Sequence, residues 1–303
     1  MQFGESRMRF TTSNSSPAML KPVQYQGALR GFAALVEPRH EDASIDLAAG
    51  GFAIARTEYP LLDTPHYLGR LESLASRVRA RMRATPSARE TIALLNRVLF
   101  DEEGLRGNRE DYYDPRNSFL NEVLDRKLGI PITLSVIYMD VARRVGFPVA
   151  GTGMPGHFLL KHYDVMSGEI LIDPFNRGRI VGNVECQQRL DEIYSGQIEL
   201  KPEFTRAVSH REILTRMLNN LRQIYFSRRD LPKGLVILDL LLAIPPLCPD
   251  LLRERGLVRL SLEQYLGAAQ DLGRYLQLEP EAADADDVRE TLEMLRELLA
   301  RLN

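Results

Sequence analysis

Gly129-Ile130-Pro131-Ile132-Thr133-Leu134-Ser135, Pro155-Gly156-His157-Phe158 and Asp173-Pro174-Phe175-Asn176 follow one another between Asn117 and Gly178. The first run opens the most regular pattern in the chain. Leu134, Ile137, Tyr138, Val141, Ala142 and Val145 recur at helical spacing and predict a helix over 131–145. Pro131 suits its first turn, where a missing N–H costs no intrahelical bond, and Arg143 and Arg144 complement the dipole before Gly146 closes the helix. Beyond it, Val149–Gly151, Phe158–Tyr163 and Ile170–Ile172 read as short strands. The Gly153-Met154-Pro155-Gly156 turn and a Ser167-Gly168 hairpin signal separate them. This is an α+β core, one stiff helix against a small antiparallel sheet.

On the N-terminal side, residues 28–109 are mostly helical in pattern. Leu71, Leu74, Ala75, Val78 and Met82 form one buried stripe, with Arg70, Glu72, Arg77, Arg79 and Arg81 expected on the solvated face. A second helix is expected over 87–100, and 104–115 reads as a polar connection anchored by Tyr112 and Tyr113. On the C-terminal side the pattern after Arg211 is helical to the end. Two stretches, 221–245 and 257–280, repeat at a spacing of about 34 to 36 residues, the tetratricopeptide period, and close on Ala243-Ile244-Pro245 and Leu278-Glu279-Pro280. Two units are too few for a free-standing solenoid, so this tail is expected to pack on the core, and residues 279–303 to form a solvated capping helix. The expected domains are a disordered tail over 1–27, the α+β domain with its N-terminal helices over 28–208, and the helical repeat domain over 209–303.

At 303 residues, 39 basic against 41 acidic side chains leave no global field for nucleic acid or anionic membrane, and neither is expected as a partner. Cys186 and Cys248 lie far apart without a partnering Cys or His motif, which argues against a disulfide framework and a zinc site and favours a reducing cytoplasm. No apolar run reaches the roughly 18 to 20 residues of a membrane helix. The first residues lack a secretory apolar segment; their Arg, Ser and Thr content suits a disordered tail or an over-extended start ahead of Met8 or Met19, and also resembles a transit peptide. No phosphate loop, His-Glu-x-x-His or paired-cysteine spacing is present, and no cofactor is expected.

With Tyr112-Tyr113-Asp114-Pro115-x-Asn117-Ser118 added to the three motifs above, and the repeat tail behind them, the chain resembles the SirB-type transglutaminase-like family. The resemblance runs from about residue 28 to 297. It implies a papain-like core and a member linked to regulation rather than to a defined reaction. It also implies that His157 and Asp173 stand where active relatives carry a base and its orienting carboxylate. The nucleophilic cysteine of those relatives sits at the start of the central helix, a slot that here falls on or beside Pro131. Proline cannot be a nucleophile.

Two hydroxyls could substitute: Ser135 lies one turn after Pro131 and Thr133 half a turn after it. Cys186 follows both His157 and Asp173 in the chain, the reverse of the expected order, and reads as a buried thiol. The bland alternatives are that His157 and Asp173 form a structural pair, and that Asn121 and Glu122 are polar helix positions rather than pocket residues. His157 and His162, five residues apart, point to opposite faces of a strand and do not share a metal. The leading expectation is a non-catalytic adaptor or regulator that binds a protein or peptide through the cleft, the repeat tail, or both. The alternative is an amide or ester hydrolase or acyltransferase using Ser135 or Thr133 with His157 and Asp173.

Overall fold

The computed structural model describes residues 22–164 and 168–302. Four helices come first: α1 (Pro22–Val36), α2 (Leu47–Ala55), α3 (Thr64–Arg79) and α4 (Ala88–Asn96). Residues 1–21 of the expected tail lie outside the described residues, whereas 22–27 belong to α1. Local chemistry sets several starts. Asp46 and Asp63 accept from Ala49 N and His66 N, and Ser87 and Glu90 close a reciprocal capping box on α4. The helix expected over 87–100 ends sooner, passing into a wide π-type turn over Arg97–Glu102. Leu71, Leu74, Ala75 and Val78 of α3 are buried as the stripe required, but its arginines are not merely solvated. Arg70 reaches Asp125, and Arg77 reaches Glu102 and Glu103.

A two-residue parallel pair unread in the sequence, β1 (Arg106–Gly107) with β2 (Leu128–Gly129), flanks the short helix α5 (Leu120–Arg126). It delivers the chain to α6 (Pro131–Arg144), the central helix. This helix is apolar nearly all round and packs against α3, α2 and the sheet, so it lies inside the molecule rather than on it. The sheet is an antiparallel meander of β3 (Ala150–Thr152), β4 (Leu159–Asp164), β5 (Gly168–Asp173) and β6 (Arg179–Val181). Leu160 pairs with Ile172, and both side chains join the core on the α6 side. The fourth strand and the following helix α7 (Asn183–Tyr194) are additions to the sequence reading.

The tail consists of α8 (His210–Ser227), α9 (Leu231–Ala243), α10 (Pro249–Ser261), α11 (Tyr265–Leu278) and α12 (Ala285–Leu302). Its first pair does not stand apart. Leu214, Met217 and Leu218 of α8 and Leu235 and Leu238 of α9 share one continuous core with Phe52, Phe119 and Tyr138. Glycines make the approach possible: a Cβ on Gly50 would meet Leu214 at 2.8 Å. Leu252, Leu272, Tyr275, Val288 and Leu295 of α10–α12 build a second, smaller core.

Candidate functional site

Two turns place the central pair. Before β4, Gly156 adopts a φ of +68°, a left-handed geometry that glycine reaches without strain, and His157 N donates back to Met154 O at 3.2 Å. At the end of β5, Asp173 caps the following turn, accepting from Asn176 N at 3.2 Å and from Asn176 Nδ2 at 2.6 Å. Adjacent antiparallel strands thus bring two residues 16 apart in sequence together, with His157 Nε2 lying 2.9 Å from Asp173 Oδ2. Burial pushes the Asp173 carboxyl up. The hydrogen bond and charge of His157, with the two bonds from Asn176, outweigh this and hold it below the usual carboxylate range. An ionised Asp173 requires the proton on Nε2, so in the neutral ring Nδ1 carries the lone pair. That nitrogen is buried and has no hydrogen-bond partner among the described residues. The Phe175 ring meets the imidazole edge-on at 6.1 Å.

The start of α6 is fastened separately. Thr133 Oγ1 accepts from Ile130 N at 3.1 Å and donates to Asn117 O at 2.8 Å. Asn117 in turn holds the loop before it, donating through Nδ2 to Asp111 O at 2.7 Å and Tyr112 O at 3.2 Å. Asp114 supports the same loop through Arg116 and Arg126. The Tyr-Tyr-Asp-Pro-x-Asn motif is therefore a brace between the central helix and one wall of a cleft.

His157 separates two cavities. The first, about 250 Å³, is lined by His157, Asp173, Asn176, Cys186, Arg109 and Arg189 among others. The second, about 400 Å³, is lined by Pro131, His157, Tyr112, Tyr113, Arg189 and Arg216 with apolar neighbours. Pro131 thus shares a cavity wall with His157. The two hydroxyl candidates do not reach either cavity. Thr133 is committed to backbone groups, and Ser135 is 0% exposed inside the core, its Oγ without a partner among the described residues. Neither forms a hydrogen bond with His157.

The transglutaminase-like superfamily profile matches residues 65–219, and a tetratricopeptide-repeat profile matches 221–293. The chain belongs to the transglutaminase-like superfamily, in its SirB-type branch. A UPF0162 protein of Xylella fastidiosa is 38% identical over 252 residues, which cover 82% of this chain and 89% of that one. Protein SirB1 of Salmonella typhimurium is 25% identical over 235 residues, covering 77% and 86%. F-box only protein 21 of Mus musculus is 32% identical over 139 residues, covering 44% of this chain and 21% of its own.

Several residues of this transglutaminase-like site carried no local signal. Arg216, on α8, reaches back 59 residues: its Nη2 donates to His157 O at 2.7 Å and to Met154 O at 3.0 Å, and its guanidinium lies 5.4 Å from the Phe158 ring centre. Burial lowers its pKa. Cys186, set aside on chain order, does line the first cavity with His157 and Asp173. Its thiol is free and buried, and burial, Glu185 and Asp173 all push its pKa up, away from a thiolate. Asn121 is buried, its Oδ1 without a partner among the described residues, and neither Asn121 nor Glu122 lines the two cavities. His162 Nδ1 faces Pro148 O at 2.7 Å and its ring stacks on Phe147 at 4.1 Å, well apart from His157 chemistry. Among the described residues no group of three or more His, Cys, Asp or Glu is arranged to hold a metal ion, and no helix is long and apolar enough to cross a membrane.

Proposed function

We propose that this chain is a non-catalytic adaptor or regulatory protein that binds a protein or peptide at the cleft between Pro131 and His157, with the repeat tail as a second contact surface. One observation carries this reading: Pro131, which has no nucleophilic atom, shares the cavity with His157, while Ser135 and Thr133 are buried away from it. Base-assisted attack needs a hydroxyl or thiol within hydrogen-bond reach of the base. Recognition needs only the walls. A cleft with rim tyrosines and a paired histidine can still hold an extended segment, and helix-repeat tails present further surface.

The competing reading, an amide or ester hydrolase or acyltransferase using Ser135 or Thr133, draws on the intact His157–Asp173 pair. Two measurements separate them. Hydrolysis of p-nitrophenyl acetate and of aminoacyl coumarin amides is expected to show no rate that Ser135→Ala, Thr133→Ala or His157→Ala removes; a rate removed by any of these overturns the adaptor reading. Photo-crosslinking from p-benzoylphenylalanine at Tyr113, on the exposed cleft rim, is expected to capture a protein partner that the same group at Leu61, 98% exposed, does not.

A further inference from the structure

The second cavity has an unusual polar inventory. Arg189 and Arg216 both line it, together with Tyr112, Tyr113, Asn220 and Gln223, and no carboxylate side chain does. Arg216 makes no ion pair among the described residues; one terminal nitrogen serves two backbone carbonyls and the rest of its fork is uncommitted. Arg189 has one surface partner, Glu192 at 2.8 Å, while its Nε is buried and unpartnered. The Tyr112 phenol is pushed up by burial and held back by the fields of Arg216 and Arg189, so both guanidiniums act on the same point. Arg216 is half-buried and lacks a carboxylate partner among the described residues, and a bound anion would offset the cost of desolvating it.

His157 adds the opposite requirement. It is 2% exposed, and its Nε2 edge is taken by Asp173, which lines only the first cavity. In the neutral ring its Nδ1 carries a lone pair that meets no donor among the described residues. One cavity therefore asks for a carboxylate and for an N–H beside it. The C-terminal residue of a peptide presents both, two bonds apart, whereas the carboxylate of a Glu side chain lies farther from its own N–H.

We infer that the cleft captures the C-terminal residue of a peptide, its carboxylate on Arg216 and Arg189 with Tyr112, and its N–H donating to His157 Nδ1. This rests on the reading of the cleft as a binding site and names what it binds.

The test uses the full chain, labelled with ¹⁵N-histidine, and three probes: Ac-Ala-Ala-Ala-OH, its C-terminal amide, and Ac-Ala-Glu-Ala-NH₂. The free acid is expected to shift the His157 Nδ1 resonance and to bind about tenfold or more tighter than its amide, as a charge-assisted bidentate contact would require. Arg216→Met is expected to bring that ratio close to one. Because Arg216 also holds two carbonyls, Arg189→Met, which touches no backbone group, is measured alongside and is expected to lower the ratio. Equal binding of acid and amide overturns this inference and leaves the cleft reading standing. So does equal binding of the Glu probe, which would mean side-chain recognition. A His157 resonance that none of the probes moves overturns both.

Discussion

Two groups of half-buried arginines in this molecule are finished differently. Between α9, α10 and α11, Arg255 bonds Asp271 at 2.6 and 2.8 Å and Asp239 at 2.7 Å, while Arg259 bonds Asp271 at 2.8 Å. Two cations meet two carboxylates, and the network closes on itself. In the cleft, Arg216 meets two carbonyls and the Phe158 ring and pairs with no carboxylate among the described residues. The first arrangement is self-sufficient and holds the repeat helices in register. The second is complete only for a ligand that supplies negative charge. Buried charge is tolerated where it is paired, and an unpaired one marks where a partner is expected.

This contrast can be broken by stability measurements, the largest effect first. Asp271→Ala strips both Arg255 and Arg259 of a carboxylate they cannot replace, and is expected to cost about 3–5 kcal/mol in urea unfolding. Asp173→Asn keeps the shape but removes the charge beside His157, with an expected loss of about 1–3 kcal/mol near neutral pH. The sign of its pH dependence follows from the lowered carboxyl: the contribution is present above the ordinary value of 3.8 and is lost as pH falls through the lower folded value. Asp173→Asn should therefore remove part of the acid-induced loss of stability below about pH 4, as read by unfolding midpoints across pH. Arg216→Met gives up two carbonyl contacts but also relieves an uncompensated cation, so its net cost should be about 1–2 kcal/mol. A loss exceeding that of Asp271→Ala would erase the distinction between the two sites. Glu192→Ala, which removes the surface partner of Arg189, should change stability by less than about 0.5 kcal/mol.

The core was legible because its signals are local. Pro131 and Gly146 bracket the central helix, the apolar stripe from Leu134 onwards names its length, and Pro155-Gly156 and Asp173-Pro174 announce turns. His157 and Asp173 were brought out by the family resemblance those motifs carry, and consecutive antiparallel strands then place them side by side. What escaped was either short or distant. The two-residue pair Arg106–Gly107 with Leu128–Gly129 has too little length for a periodicity. The wide turn at Arg97–Glu102 continues a helical pattern without changing it. Glu122 belongs to a polar helix position in either reading, and only the tertiary packing decides that it lines neither cavity.

By itself the sequence determined that a helix with a proline at its start leads into a small sheet carrying a histidine and an aspartate, followed by helical repeats. It did so because periodicity, turn chemistry and capping act over a few residues. Tertiary structure alone decided that Ser135 and Thr133 are enclosed while Pro131 shares the wall of the His157 cavity, and that Cys186 lines the cavity on the other side. It alone brought Arg216 from α8 to the carbonyl of His157 and left it without an ion pair among the described residues. Those facts depend on contacts between residues far apart in the chain, and burial is a property of the whole packed core rather than of any segment within it.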